Sequence, residues 1–103
     1  MGDMDAIVVK VRNGCAEAYT VSGGFVRSFG SGDVVQAGTN GQEVALLRAN
    51  GWVDLYQRDG SFRRSLGSGD VAGVQVAADT VALTRKNGSV DIYGLDGSFK
   101  RSL

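Results

Sequence analysis

The sequence contains no histidine, no proline and a single cysteine, and these absences remove several classes of function. Without histidine, Ser-His-Asp and Cys-His nucleophile systems are excluded, as are zinc sites built from cysteine and histidine. The single Cys15 allows no intrachain disulfide, and we interpret it as a small, half-buried strand residue. An enzyme using carboxylates alone would need two acids facing each other across a pocket. We expect a non-enzymatic protein with no metal and no cofactor.

Charge of one sign and long apolar runs are also lacking. Eleven basic residues balance eleven acidic ones, whereas a nucleic-acid or anionic-membrane partner requires a basic excess on one face. No apolar run approaches the length that spans a membrane. The N-terminal segment, residues 1–5, is short and acidic, unlike a signal peptide. The sequence therefore predicts one cytoplasmic domain that binds neither nucleic acid nor membrane.

A 37-residue repeat is the main feature that the sequence does contain. The phrase Asn-Gly-x-x-(Asp/Glu)-x-Tyr begins at Asn13, Asn50 and Asn87. Residues 50–66 and 87–103 are identical at 12 of 17 positions, so the chain grew by duplication. A period of this length is typical of solenoids, propellers and arrays, in which one unit alone cannot bury its apolar face.

Each repeat predicts four short strands, here called a to d. In the last repeat they are Val71–Ala77, 80–86, 89–93 and 98–103. Asn-Gly joins b to c, and we expect a two-residue type I′ turn because both residues accept positive φ. Asp-Gly or Gly-Gly turns c into d, and Gly-Ser-Gly-Asp leads to the next repeat. The predicted units are 1–33, which is incomplete, 34–70 and 71–103. They contain eleven strands in all, because the first strand a is missing or reduced to residues 1–4.

The two-residue turn predicts the register of the b–c hairpins. In the second repeat it pairs Arg48 with Val53, Leu46 with Leu55 and Val44 with Gln57 on one face. The corresponding pairs are Val11/Ala16, Val9/Ala18 and Ile7/Thr20 in the first repeat, and Arg85/Val90, Leu83/Ile92 and Val81/Gly94 in the third. The other face of the second repeat pairs Ala49 with Trp52, Leu47 with Asp54 and Ala45 with Tyr56. Both faces carry enough bulk to indicate sheets stacked face to face.

Four antiparallel strands per repeat describe a propeller blade. Segment 69–93, which ends in Asn87-Gly88-Ser89-Val90-Asp91-Ile92-Tyr93, resembles a blade of the WD-repeat and NHL-repeat β-propellers. Segment 95–103 resembles the outer strand of such a blade. The Gly-His and Trp-Asp signatures are absent, so the resemblance implies the architecture alone: an all-β chain of three blades.

Three blades do not close a propeller, since closed rings typically have at least four. Uncovered apolar blade faces indicate association. We expect a homodimer that closes a six-bladed ring. The alternative is a closed three-fold β-prism monomer. The chain resembles the three-fold mannose-binding lectins of monocot plants in length and repeat period, although only the tyrosine of their sugar motif is retained, at Tyr56 and its equivalents.

Trp52 is the leading candidate for ligand binding, because the other repeats have Cys15 and Ser89 at its position. An aromatic ring beside polar groups suits sugar stacking or a protein contact. The alternative interpretation is that Trp52 packs on a neighbouring blade or at a subunit seam. The candidate set is Trp52, Arg48, Asp54 and Arg85.

Two further charge patterns repeat. Glu17, Asp54 and Asp91 occupy one position of strand c, where they could line a channel or pair across strands with Lys10 or Thr84. Strand d is basic, and we interpret its charges as protection of an edge strand. The sequence thus favours a non-enzymatic binding or scaffold module built from propeller blades, whose ligand it does not identify; the candidates are a protein or a sugar. The alternative is lectin-like carbohydrate binding at loops or subunit seams.

Overall fold

The computed structural model describes residues 6–103. This part of the chain forms eleven strands. The remnant of a first strand a predicted at residues 1–4 lies outside the described residues. No helix in the described part of the chain has the length and apolarity needed to cross a membrane. The strands are β1 (Ile7–Arg12), β2 (Cys15–Thr20), β3 (Phe25–Phe29), β4 (Val34–Thr39), β5 (Glu43–Arg48), β6 (Val53–Gln57), β7 (Phe62–Leu66), β8 (Val71–Ala77), β9 (Thr80–Arg85), β10 (Val90–Gly94) and β11 (Phe99–Ser102).

These strands form three antiparallel sheets in chain order. The first sheet is β1-β2-β3, the middle sheet is β4-β5-β6-β7 and the last sheet is β8-β9-β10-β11. Each strand pairs with its neighbour in sequence, so the sheets contain only hairpin connections. The all-β class and the strand content expected from the repeat are confirmed, and β8 has the predicted bounds.

The predicted b–c register is correct in the first hairpin and wrong in the other two. Asn13 and Gly14 both have positive φ, at 54° and 76°, as a two-residue turn requires, and Val9 pairs with Ala18. In the middle sheet Arg48 instead accepts a hydrogen bond from the Gly51 N–H at 2.9 Å and donates its own N–H to the Trp52 carbonyl, also at 2.9 Å. This is a three-residue loop with only the glycine in the left-handed region.

The longer loop moves every partner by one residue. Ala45 pairs with Leu55 where the sequence predicted Tyr56, and Leu47 pairs with Val53. Predicted partners Leu46 and Leu55 therefore lie on opposite faces of the sheet, since side chains alternate along a strand. The same shift occurs in the last hairpin, where Val90 pairs with Thr84 and Asp91 pairs with Leu83. The predicted pairs Arg85/Val90, Leu83/Ile92 and Val81/Gly94 are therefore wrong.

The middle sheet is buried on both faces, and this produces two separate cores. One face packs against the first sheet through Val44 and Leu46. The other packs against the last sheet through Ala45, Leu47 and Leu55. No core cluster among the described residues joins the first sheet to the last. The sheets thus stack in an open series, which differs from the closed three-fold prism considered as the alternative.

Candidate functional site

Arg48 and Asp54, two of the predicted site residues, are in direct contact within the middle sheet. Arg48 Nη1 lies 3.0 Å from Asp54 Oδ2, and its Nε donates to Asp33 Oδ2 at 2.8 Å. The other oxygen of Asp54 accepts a hydrogen bond from Ser65 Oγ at 2.8 Å. These contacts join β5, β6, β7 and the loop that enters β4, while Asp54 is only 7% exposed. The two carboxylates raise the pKa of Arg48 further above its ordinary value.

The last sheet repeats this arrangement around Arg85. Its Nε lies 2.7 Å from Asp91 Oδ2, and its Nη1 lies 2.5 Å from Asp70 Oδ1. Ser102 Oγ donates to Asp91 Oδ1 at 2.7 Å. The hydrogen bond from Ser102, followed by that from Arg85, lowers the pKa of Asp91 below its ordinary value. The pKa of Arg85 is raised in turn, with the hydrogen bond to Asp91 as the largest cause and Asp70 acting in the same direction.

The first sheet lacks the arginine of this network. Lys10 lies opposite Glu17, as the sequence predicted, whereas Asp91 lies opposite Leu83 and not Thr84. Glu17 Oε1 accepts a hydrogen bond from the Tyr19 hydroxyl at 3.0 Å, and this raises the pKa of Tyr19. The repeated acids of strand c therefore hydrogen-bond within their own sheets.

Trp52 lies between the middle sheet and the loop that leads into the last one. Its main-chain N–H donates to Asn50 Oδ1 at 3.0 Å. A β-carbon built on Gly69 would lie 3.6 Å from the indole Nε1 of Trp52. Trp52 as a whole remains 41% exposed. Gly69 precedes Asp70, the partner of Arg85, so Trp52 approaches the Arg85 network through this loop without a hydrogen bond to it.

The four predicted residues consequently do not converge on one pocket. Arg48 and Asp54 form one network, Arg85 belongs to its copy in the next sheet, and Trp52 packs beside the intervening loop. All four lie at the end of the sheets that carries the b–c turns. Within residues 6–103, no group of histidine, cysteine, aspartate or glutamate side chains could hold a metal ion.

A cleft that the sequence analysis missed lies at the opposite end, where the a–b and c–d turns of the last sheet meet the middle sheet. Its volume is about 390 Å³. Inside it the Glu43 carboxylate pairs with Arg63 Nη1 at 2.6 Å. The lining residues are Glu43, Arg63, Asp79, Gly94, Leu95, Asp96 and Lys100.

The repeat changes at this cleft. Gly94 and Leu95 replace Gln57 and Arg58 of the middle sheet. A β-carbon on Gly94 would lie 2.7 Å from Asp96 Oδ1 and 3.2 Å from the ε-carbon of Lys100, so a larger residue would enter this space. The replacement of Gln57 by glycine was the sequence signal that could have located the cleft.

Charged groups of both signs face this cleft. Hydrogen bonds from the Ser98 side chain and backbone lower the pKa of Asp96 below its ordinary value. Among the described residues, the carboxylate of Asp79 and the ammonium of Lys100 form no hydrogen bond, although the charge of Lys100 contributes to the lowered pKa of Asp96. Both residues are exposed at the cleft, where they can contact a bound molecule.

Comparison with known proteins shows the fold. No family model and no curated protein matches the chain, so the WD-repeat and NHL-repeat assignment stays a prediction. Among solved structures, the chain is similar to BamB from Moraxella catarrhalis, a β-propeller, with a TM-score of 0.74 and 14% sequence identity. The match covers 96% of this chain and 33% of that one, so the chain spans about a third of the length of that structure. The likeness shows the fold alone: the three sheets are arranged as blades of a β-propeller.

Proposed function

We propose that the chain is a non-enzymatic binding or scaffold module, built from propeller blades, that presents the turns at the ends of its blades to a ligand. The observation that carries this proposal is the cleft between the middle and last blades, where the exposed side chains of Asp79 and Lys100 lie beside Leu95. Ligand sites combine apolar lining with a few polar groups that converge on the bound molecule. The cytoplasm remains the proposed compartment.

The state of the other acids supports a binding role over catalysis. Asp54 and Asp91 each accept a serine hydrogen bond on one oxygen and pair with an arginine through the other. Both oxygens of a carboxylate held in this way are already engaged with neighbouring side chains. These acids therefore stabilise the blades and are not available as general acids or bases.

Ligand binding at the cleft can be tested by nuclear magnetic resonance with a panel of small charged and zwitterionic compounds. We expect a subset to shift the amide signals of Asp79, Leu95 and Lys100. Gly94→Gln, which copies the middle blade, should fill the cleft and abolish those shifts. Gln57→Gly is the matched control, since it makes the reverse change in the middle blade. Shifts that persist in Gly94→Gln, or a panel without effect, would contradict binding at the cleft.

We further propose that two copies complete a six-bladed ring. The stack of blades is open at both ends, and its end faces are less buried than the faces between blades: β5 is buried at all of positions 44–47, whereas burial alternates in β9. Light scattering should give twice the 10.8 kDa mass of one chain. A mass of one chain contradicts the ring, and a mass of three chains would indicate nine blades.

Lectin-like sugar binding is the second candidate, and the exposure of the Trp52 ring favours it. A tryptophan that is 41% exposed beside the polar groups of a loop can stack on a sugar face. A glycan array should then show binding that Trp52→Ala removes. Phe62→Ala, which removes an exposed aromatic ring elsewhere in the same blade, should leave binding unchanged. An array without signal argues against this candidate.

A further inference from the structure

The two seams inside the chain use the same pair of positions to hold adjacent blades together. At the first seam, Phe29 at the end of β3 packs edge-on against Tyr56 of the next blade, with ring centroids 5.6 Å apart. At the second seam, Leu66 has the position of Phe29 and lies in the core cluster against which Tyr93 packs. A residue at the end of strand d thus meets the strand-c tyrosine of the following blade.

An arginine of strand d makes a second repeated contact. The Arg27 guanidinium lies over the c–d turn of the middle blade, where a β-carbon on Gly60 would be 2.9 Å from Nη1. Arg64 reaches the same turn of the last blade, and its Nη1 donates to the Asp96 carbonyl. The first two d strands therefore each place an arginine against the c–d turn of the blade that follows.

At the ends of the stack, the residues that would make these two contacts have no partner blade among residues 6–103. Leu103, which has the position of Phe29 and Leu66, is 76% exposed. Arg101, which has the position of Arg27 and Arg64, is exposed as well. At the other end, no atom of residues 6–103 lies within 4 Å of a β-carbon built on Gly23 in the first c–d turn. Tyr19, the equivalent of Tyr56, lies on the outer face of the first blade, opposite Val8.

The outer faces of the end blades have matching chemistry. On the last blade, Ala82 and Ile92 pair with each other on the face turned away from the core that holds Leu83. On the first blade, Val8 is 48% exposed and Lys10 extends over the Tyr19 ring, with Nζ 5.8 Å from its centroid. The ammonium of Lys10 is also opposite Glu17, so its charge has partners on its own blade.

We infer that the last blade of one copy packs on the first blade of a second copy in the manner of the internal seams. Leu103 then covers Tyr19 of the second copy, and Arg101 donates to the main-chain carbonyl of Ser22 in the second copy's c–d turn. The contact is head-to-tail, and two such joints close six blades. This inference rests on the proposed ring and specifies which surfaces form it.

A charge-swap pair tests the joint. Leu103→Lys places a charge on the last blade's face, and Tyr19→Glu places one on the first blade's face. Each variant alone carries its charge into both joints, so we expect its dimer Kd to rise by about tenfold or more. Mixing the two gives one unchanged joint and one joint with opposite charges, and light scattering should show recovery of the two-chain mass. Phe62→Glu, on the middle blade, should assemble like the unchanged chain.

The outcomes separate this joint from the ring itself. If Leu103→Lys or Tyr19→Glu alone keeps the dimer Kd of the unchanged chain, that face is outside the contact and the joint is wrong, while the ring proposal stands. A mixture that remains monomeric also overturns it. If the unchanged chain is monomeric, the ring and the joint both fail.

Arg101→Ala provides a second measurement that leaves both apolar faces intact. Arg101 is exposed at the end of the stack, so its removal should not affect folding, which circular dichroism checks. We expect a weaker dimer than that of the unchanged chain. A dimer Kd equal to that of the unchanged chain would exclude the predicted bond to Ser22.

Discussion

The middle blade lies between two other blades, so the contribution of each of its side chains to stability depends on whether it is buried against one of them. Leu55 is fully buried in the core shared with the last blade, whereas Val35 of the same blade is 53% exposed. Removing a buried side chain costs its transfer free energy and leaves a cavity, since the surroundings relax only in part.

Leu55→Ala should lower the free energy of unfolding by about 2–5 kcal/mol, the range for buried leucine truncations. Val35→Ala, the control, should change it by less than about 0.5 kcal/mol because its side chain lies at the surface. Urea unfolding followed by tryptophan fluorescence measures both. Similar losses for the two variants would contradict the assignment of Leu55 to a tightly packed seam.

The strand-c carboxylates predict a dependence of stability on acid. Ser102 and Arg85 lower the pKa of Asp91 below its ordinary value in the folded chain. The stabilisation from Asp91 is therefore present above the ordinary carboxyl pKa, near about 4, and is lost as the pH falls through the lower folded value. Asp59 and Asp96 act in the same direction, mainly through hydrogen bonds from Ser61 and Ser98 that lower their pKa.

We expect the melting temperature to fall as the pH is lowered from about 5 to about 2, and to fall less steeply in Asp91→Asn. Asp79→Asn removes a carboxylate that accepts no hydrogen bond among the described residues, and it should keep the slope of the unchanged chain. Melting curves by circular dichroism over this range test the expectation. A slope unaffected by Asp91→Asn would show that its contacts do not stabilise the fold.

At the scale of the elements, one dipeptide forms two kinds of turn. The Asn-Gly of the first hairpin is a two-residue turn, while those of the next two hairpins end three-residue loops. Gly51 packs directly on the following loop, where a β-carbon would lie 2.1 Å from the Gly69 carbonyl oxygen. Gly88, with φ of 93°, has nothing within 4 Å.

Gly51→Ala should therefore destabilise the chain more than Gly88→Ala does. Both replacements place a side chain at positive φ, which costs about 1 kcal/mol, but only the first also separates the two loops. The difference between their free energies of unfolding isolates the loop contact. Equal losses would mean that the Gly51 loop does not depend on its neighbour.

For the whole molecule, assembly predicts that stability depends on protein concentration. A folded dimer is favoured over unfolded chains by mass action, so the melting temperature should rise with concentration. Tyr19→Glu, with one joint face blocked, should show little or no rise. Calorimetry across a hundredfold dilution series measures this. A melting temperature of the unchanged chain that is independent of concentration would contradict a ring of separate chains.

The candidate site was only partly accessible from the sequence. Arg48 and Asp54 could be chosen as neighbours because the repeat brings strands b and c together. The cleft was not foreseen, since its charged residues come from two blades whose relative position depends on packing. Gly94 contributes by lacking a side chain, which has meaning only once Asp96 and Lys100 are placed around it.

The sequence by itself determined the number of repeats, the strands and the hairpin connections, because period-two patterns and glycine turns act over a few residues. Tertiary structure decided the register of the second and third b–c hairpins and the face to which each side chain belongs. Positions 44–47 are apolar throughout, so alternation could not reveal the register there. Burial on both sides of a blade removes that signal, and the Asn-Gly dipeptide is compatible with both two-residue and three-residue loops.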